Sequence, residues 1–196
     1  MSDVLLSVRP QWCEKICHEI GKTENGKPIY EKRIEVRKTA PKDVPFKAYI
    51  YMTHGDASIK LGNGMTCHHS GGMCVIGEFI CDKVFQWNCK KYITYDGSVE
   101  PTYFPLQKDL KATCLSFKQF HDYGCGKTLY GWHISDLKIY DKPKELSEFF
   151  KPCPTKEKGD CLSCDCLADN DYGGVCTNNL TRPPQSWMFV EEIKER

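Results

Sequence analysis

Short apolar runs separated by polar stretches predict a chain built mainly of β-strands. The runs are enriched in β-branched and aromatic residues, and several alternate apolar with polar positions, as half-buried strands do. A glycine-rich stretch at 54–73 predicts a long loop, and the polar stretch at 88–112, which contains two prolines, predicts an insertion. The predicted strands cover residues 4–8, 29–37, 46–53, 74–85, part of 130–140, and 186–191.

A helix is predicted directly after the first strand. Pro10 suits the first turn of a helix, where its missing N–H group costs nothing. Trp12, Ile16 and Ile20 recur every four residues and predict a buried face, and Gly21 is expected to end the helix. Beyond it, an Asn-Gly pair predicts a tight turn. Two further short helices are predicted at 115–123 and 143–150.

Several short strands, few helices and long connections predict an α+β fold in which the strands form a small mixed β-barrel. The chain has 196 residues, of which 40% are hydrophobic and 27% are charged. These values are ordinary for a globular protein, and a chain of this length buries a core without disulfide staples. We therefore predict a single domain over residues 1–196.

The net charge of +1 indicates no overall field that would attract nucleic acid or a membrane. A weak basic stripe exists locally, because six Lys or Arg residues lie between positions 32 and 47. The first residues lack the basic, apolar and small-residue regions of a secretory signal. No apolar run reaches the roughly 18–20 residues that span a bilayer. We expect a cytoplasmic protein with no membrane contact.

Thirteen cysteines are present, and five of them fall within 24 residues near the C-terminus. An odd number without a secretory signal argues against a disulfide scaffold. Four thiolates around one ion form the closed tetrahedral site of structural zinc. Disulfides, a free-thiol loop and an iron–sulfur cluster are the alternatives. We predict that a Cys-rich insertion at 151–181 binds structural Zn²⁺ through Cys153, Cys161, Cys164 and Cys176, with Cys166 as the alternate ligand.

Three stretches resemble the ASCH domain family, a branch of the PUA-like superfamily. They are LLSVRPQWCEKI at 5–16, KRIEVRK at 32–38 and WHISDLKIYDKPKELSEF at 132–149. The third is the most specific, because it is long and contains few generic residues. Two more stretches, VIGEFICDKV at 75–84 and RPPQSW at 182–187, are similar to phage and bacterial relatives. The resemblance covers residues 4 to about 191, with insertions.

The resemblance implies a β-barrel whose cleft is lined by the end of the first strand, the 32–38 strand and the segment that begins at Trp132. Members of the family are associated with RNA or modified nucleosides, and some related proteins are ribonucleases or hydrolases of acetylated cytidine. The hydrolases use a Lys, a Thr three positions later and a distant Glu. Here Lys32 matches the Lys, Glu35 replaces the Thr, and Asp122 lies only roughly where the distant Glu is expected. The hydroxyl group of that chemistry is therefore missing.

Candidate ligand-binding residues lie in the first two stretches. Arg9 precedes a helix N-terminus, whose free N–H groups suit a phosphate. Glu35 and Arg37 share one strand face and can hold a base edge or a phosphate, whereas alternation places Lys32 on the other face with Ile34. The alternatives are a surface arginine and a structural ion pair.

Trp132, His133 and Ser135 are the candidates in the third stretch. An aromatic ring can stack on a base, and a histidine transfers protons near neutral pH. Alternation places His133 and Ser135 on one face and Trp132 on the other, so one set at most lines the cleft, and we favour His133. The alternatives are a core tryptophan and a buried, hydrogen-bonded histidine. Thr53, at the end of a strand, is a weaker candidate.

Three functions are consistent with these residues. The first is a non-catalytic module that binds RNA or a nucleotide in the cleft. The second is a ribonuclease or nucleoside-processing hydrolase in which Lys32 and His133 act as acid and base while Glu35 activates water. The third is a regulatory module that binds another protein through the Cys-rich insertion.

Overall fold

A computed structural model describes residues 3–69, 71–93, 95–96, 98–152, 167–168, 175–176 and 178–192. The helices are α1 (Pro10–Cys17), α2 (Gln107–Thr113) and α3 (Phe117–Gly124), with a 3-10 turn at Leu146–Glu148. The strands are β1 (Asp3–Val8), β2 (Glu19–Lys22), β3 (Pro28–Tyr30), β4 (Ile34–Arg37), β5 (Phe46–Met52), β6 (Ala57–Lys60), β7 (Thr66–His69), β8 (Cys74–Cys81), β9 (Val84–Trp87), β10 (Lys90–Ile93), β11 (Val99–Thr102), β12 (Leu129–His133), β13 (Ser135–Lys144), β14 (Phe149–Phe150), β15 (Leu167–Ala168), β16 (Val175–Cys176) and β17 (Trp187–Glu192).

Two sheets form the framework. The larger has the order β13-β8-β5-β1-β17-β14, and the smaller has the order β4-β12-β9. Within the larger sheet, β1 pairs with β5 in parallel and with β17 antiparallel, so the sheet is mixed. The mixed sheet curls into a half-barrel with a few short helices, which confirms the predicted α+β class.

The central strand β1 is buried on both faces. Val4, Leu6 and Val8 belong to the core inside the half-barrel, whereas Leu5 belongs to a second core on the opposite side of the sheet. A strand covered on both faces has a continuous apolar sequence, which is what the residues Val-Leu-Leu-Ser-Val provide. The position of β1 places Ser7, near the end of the strand, and Arg9, just after it, beside the candidate site.

Helix α1 is shorter than predicted. It begins at Pro10, as expected, but ends at Cys17, because His18 is extended with ψ 107° and leads into the β2–β3 hairpin. Ile20 lies in that hairpin and is 56% exposed, so the prediction that Ile20 and Gly21 complete the helix is wrong. The Asn-Gly turn of the hairpin is confirmed, with Gly26 at φ 75°.

Three predicted strands are each two strands in the structure. The 29–37 segment divides into β3 and β4, the 74–85 segment into β8 and β9, and the 130–140 segment into β12 and β13. Each break passes the chain from one pairing partner to another; β12 belongs to the small sheet and β13 to the large one. Apolar periodicity shows that a segment is extended, but it does not show where the segment changes partner.

Three other segments differ from the predictions. The 54–73 stretch contains the β6–β7 hairpin, and the 88–112 stretch contains the β10–β11 hairpin and α2. The predicted helix at 143–150 is wrong, because β13 continues to Lys144 and only a 3-10 turn follows. Proline is tolerated there since β13 lies at the edge of its sheet. The predicted helix at 115–123 is confirmed as α3, with Ser116 forming its capping box.

The Cys-rich insertion leaves and rejoins the sheet at one place. The Lys151 N–H group donates to the Asn178 carbonyl, and the Leu180 N–H group donates to the Phe149 carbonyl. Phe149 and Leu180 are both buried in the second core. Among the described helices, none is long and apolar enough to cross a membrane.

Candidate ligand-binding site

A charged cluster, Lys32, Glu35 and Arg37, lies buried at the junction of β1, β4 and α2. The Glu35 Oε1 atom is 2.9 Å from an Arg37 terminal nitrogen, and Glu35 Oε2 is 3.3 Å from Lys32 Nζ. The three residues are 2%, 5% and 9% exposed, respectively. Burial of charges is costly, so a group of three needs close pairing or a functional reason.

The local backbone explains how Lys32 joins the cluster. Strand β4 begins only at Ile34, and Lys32 precedes it, with its N–H group donating to the Lys15 carbonyl of α1. Strand alternation therefore does not apply to Lys32. The predicted sharing of a face by Glu35 and Arg37 is confirmed, whereas the predicted separation of Lys32 from them is wrong.

Backbone carbonyls satisfy part of the cluster. Lys32 Nζ donates to the Thr113 carbonyl at 2.6 Å, and Arg37 donates to the Ser7 carbonyl at 2.6 Å. The ammonium group of Lys32 also lies 5.1 Å from the centre of the Trp12 ring. These contacts hold the cluster between the end of β1 and the two helices.

Three buried polar atoms at the cluster have no hydrogen-bond partner within the described part of the chain. They are Glu35 Oε2, Arg37 Nε and Trp132 Nε1. Glu35 Oε2 is within ion-pair distance of Lys32, but that contact lacks hydrogen-bond geometry. Buried polar groups are nearly always paired, so one unmet acceptor and two unmet donors call for an explanation.

Cross-strand pairing places Trp132 with the cluster. In the β4-β12-β9 sheet, Trp132 is opposite Glu35, and directly opposed residues project on the same face. Trp132 is fully buried and meets Phe46 and Trp187 edge-on, with ring centres 5.0 and 5.7 Å away. Its indole nitrogen is the third unmet atom, so Trp132 combines a core role with a place in the candidate site.

His133 projects on the other face of the same strand. It is opposite Ile34, and its Nδ1 atom is 2.6 Å from Asp82 Oδ1. Burial acts to raise the pKa of Asp82, but the hydrogen bond to His133, the His133 charge and hydrogen bonds from the Asp82 backbone and Ser135 together lower it. Ser135 donates to the Ile80 carbonyl. The structure thus separates both His133, the residue favoured for the cleft, and Ser135 from the charged cluster.

The exposed rim beside the cluster is basic and aromatic. Arg9 is exposed at the N-terminus of α1, and Lys38 follows β4. Tyr123, on α3, is 38% exposed, with Lys38 Nζ 5.2 Å from its ring centre. Burial raises the pKa of Tyr123, while nearby Arg37 and Arg9 act in the opposite direction. Sequence analysis missed Tyr123, since no motif distinguishes it from other helix residues.

The remaining candidates lie outside the cluster. Thr53 lines a separate cavity of about 410 Å³ together with Arg9 and Glu14. Asp122 is exposed and pairs with Lys118 at 2.6 Å within α3. The structure therefore gives neither residue a contact with Glu35.

The predicted zinc ligands Cys153, Cys161, Cys164 and Cys166 lie outside the described residues. Cys176 is described only as backbone, in β16, where it pairs with Leu167. In the described ranges, no group of three or more His, Cys, Asp or Glu residues is arranged to hold a metal ion. The zinc site stays a prediction.

Comparison with known proteins gives a structural likeness only. Neither the models of protein families nor the curated proteins include a match. The crystal structure of ASCH from Zymomonas mobilis matches 97% of this chain and 88% of its own, with 14% identity and a TM-score of 0.51. Two single-residue variants of that protein, also 14% identical, match 97% of this chain and 91% and 89% of theirs, at a TM-score of 0.49. The chain therefore has the fold of an ASCH domain.

Proposed function

We propose that the protein binds RNA or a nucleotide beside the charged cluster. The observation that carries this proposal is the group of unmet atoms: Glu35 Oε2 lacks a donor, while Arg37 Nε and Trp132 Nε1 lack acceptors, among the described residues. A nucleobase edge presents donors and acceptors side by side, and proteins read unpaired bases through such edges. Because all three atoms are buried, one base can serve both kinds of unmet atom only once the surrounding side chains move to admit it.

The rim supplies what the rest of a nucleotide needs. Arg9 is an exposed cation at the N-terminus of α1, where the partial positive charge of the helix end favours a phosphate. Tyr123 is a partly exposed ring beside Arg37, and bases stack on aromatic rings. The ASCH fold and the sequence resemblance to ASCH domains support the choice of RNA or a modified nucleoside as ligand.

The geometry does not support the hydrolase alternative. Lys32 Nζ donates to the Thr113 carbonyl and lies beside Glu35, and its side chain is buried, so protein groups hold it rather than a substrate. His133 is on the opposite face, bonded to Asp82, and does not act with Lys32 on one substrate. Binding without turnover is therefore the function we propose.

Replacing Arg9 by alanine tests the proposal without disturbing the core. Affinity for a fluorescent RNA is expected to fall by at least about tenfold, because a hydrogen bond to a charged group contributes about 1.5–3 kcal/mol. The slope of log affinity against log salt should fall by about 0.7, the value for one single-strand phosphate contact. Fluorescence anisotropy at several salt concentrations measures both quantities.

Arg33→Ala is the matched control, because Arg33 is exposed but precedes β4 beside α2. It should leave affinity within about twofold, as expected for a surface charge outside the site. Equal losses in the two variants would refute the assigned site. An unmutated protein that binds neither RNA nor nucleotides would refute the function itself.

We also propose that the Cys-rich insertion holds one structural zinc ion. The spacing of the five cysteines supports this. The pairing of β15 with β16 supports it too, because Cys166 directly precedes β15 in sequence and Cys176 ends β16. Elemental analysis of protein purified without chelator should find about one zinc per chain. Cys161→Ser/Cys164→Ser should lose it, whereas Cys89→Ser/Cys125→Ser should retain it. Metal-free unmutated protein would contradict the proposal.

A further inference from the structure

Strand β9 is the outer strand of the small sheet. It pairs with β12 on one side, and no strand of the described ranges pairs with it on the other. The His133 N–H group donates to the Lys83 carbonyl at 2.9 Å, so the backbone of Lys83 faces β12. Facing and outward positions alternate along an antiparallel pair. Val84 and Gln86 therefore direct their backbone N–H and C=O groups away from β12.

The outward backbone groups of β9 are open to another chain. Within the part of the chain that the structure describes, those of Val84 and Gln86 have no hydrogen-bond partner. Val84 is partly exposed and Gln86 is exposed, and the Gln86 side chain turns along the strand to donate to Asn88 Oδ1. Unpaired donors and acceptors in a row along a strand edge form a template on which a further strand can pair.

A cavity of about 540 Å³ lies along the same edge. Tyr130 and the two outward-facing residues of β9 line its sheet side, and the segment 38–44, which connects β4 with β5, forms the other wall. The Trp187 indole N–H group donates to Thr39 Oγ1 at 2.9 Å, which ties this segment to β17. When a peptide adds to a sheet edge, main-chain hydrogen bonds give affinity and a pocket for a side chain gives specificity. The edge of β9 offers both.

The charges beside the edge indicate what kind of chain fits. Lys38 and Lys42 are exposed and line the cavity, and none of its described lining residues is acidic. An acidic segment therefore complements this surface, whereas a second copy of the protein paired through β9 brings the same lysines together, and like charges oppose association. Nucleic acid fits less well, because half of the outward backbone groups are carbonyl oxygens, which repel phosphate.

We propose that β9 accepts an extended, acidic segment of another protein as an added strand. The main chain of this segment bonds to the outward groups of Val84 and Gln86, one of its apolar side chains enters the cavity against Tyr130, and a carboxylate meets Lys42. The interaction goes beyond the proposed function and does not depend on it. Because Lys38 also belongs to the rim of the proposed nucleotide site, the experiments change Lys42 alone.

Hydrogen exchange on the free, full-length protein tests whether the edge is open. The amide hydrogens of Val84 and Gln86 should exchange at least about tenfold faster than that of Phe85, whose N–H group faces β12. Nuclear magnetic resonance resolves the three amides separately. Equal protection of all three would show that the edge is already covered and would overturn the proposal.

A phage-displayed library of random linear peptides is the probe for the partner. Selection on the unmutated protein should enrich peptides in which acidic and apolar residues alternate. A synthetic peptide of that type should slow exchange of the Val84 and Gln86 amides by at least about tenfold. Gln86→Pro should weaken its binding by about tenfold, because it removes an outward donor. Proline is tolerated at such an edge position, where the sheet itself does not use the N–H group.

Gln86→Ala is the matched control, because it keeps the backbone donor, and it should bind the peptide within about twofold of the unmutated protein. Lys42→Glu gives a readout that does not alter the strand: peptide affinity should fall about tenfold through charge repulsion, whereas Lys27→Glu, on the β2–β3 hairpin, should have little effect. Thermal unfolding confirms that each variant is folded.

Three results would overturn the acidic-peptide site. The first is selection of basic or uncharged peptides, or of none. The second is equal peptide affinity in Lys42→Glu and Lys27→Glu. The third is a different occupant: a dimer seen by analytical ultracentrifugation, or an RNA, that protects the Val84 and Gln86 amides while the peptide does not. None of these results bears on nucleotide binding at the charged cluster, which is measured separately.

Discussion

Replacing Glu35 by alanine is expected to destabilise the fold by about 3–5 kcal/mol, the cost of leaving partners of a buried ion pair without their counter-charge. Lys32 and Arg37 both lie against this carboxylate and are at most 9% exposed. Neither cation can reach water without moving the end of β1 or the helix that holds it. Urea unfolding followed by circular dichroism measures the loss.

Two further variants separate stability from function. Glu24→Ala, on the exposed β2–β3 hairpin, should change stability by no more than about 0.5 kcal/mol. Replacing all three members of the cluster with leucine or methionine should be neutral or stabilising, by up to about 4 kcal/mol. That triple variant is expected to fold and to lose RNA binding. If Glu35→Ala is as stable as Glu24→Ala, the buried pairing does not exist as described.

Replacing Trp132 by alanine should cost about 3–5 kcal/mol, the range for deleting a large aromatic side chain from a core. Trp132 is fully buried and contacts Phe46 and Trp187 edge-on. Trp132→Phe should cost markedly less, because a ring remains for both contacts and the indole N–H group has no partner in the described chain. Thermal unfolding of the two variants measures the difference.

The Trp132→Phe variant also tests ligand binding. If the indole N–H group donates to a ligand, Trp132→Phe should fold well but bind RNA several-fold more weakly, since a hydrogen bond contributes about 0.5–1.5 kcal/mol. Val84→Ala is a suitable control, because it lies opposite Trp132 on the same face and has no polar atom to lose. Unchanged affinity in Trp132→Phe would remove Trp132 from the binding site but not from the core.

The sequence predicted the strands that are buried on both faces better than the others. Residues 46–52 form β5, paired between β1 and β8, and their dense apolar and aromatic pattern allows no other interpretation. The β6–β7 hairpin was missed because Gly62 and Gly64 lie within it and its strands have only four residues each. Short polar hairpins gain their stability from pairing with a neighbour, which local pattern does not contain.

Local sequence pattern also predicts the candidate site only in part. Alternation correctly placed Glu35 and Arg37 together, and it correctly separated Trp132 from His133. Alternation does not say which face turns inward, because that depends on what the sheet packs against. Lys32 joined the cluster because it precedes the strand, and Tyr123 joined it from a helix more than 80 positions away in sequence. The positions of these two residues depend on tertiary packing, which local sequence pattern does not contain.

The pairing of β1 with β17 has a consequence for how the protein is made. Asp3 lies opposite Val190, so the central strand of the larger sheet stays open on one side until β17 has been synthesised. Pairing between such distant segments slows folding, because the chain pays for a large loop before it gains the contacts. On the ribosome, the nascent protein therefore exposes an apolar sheet edge, to which a chaperone can bind until β17 pairs with β1.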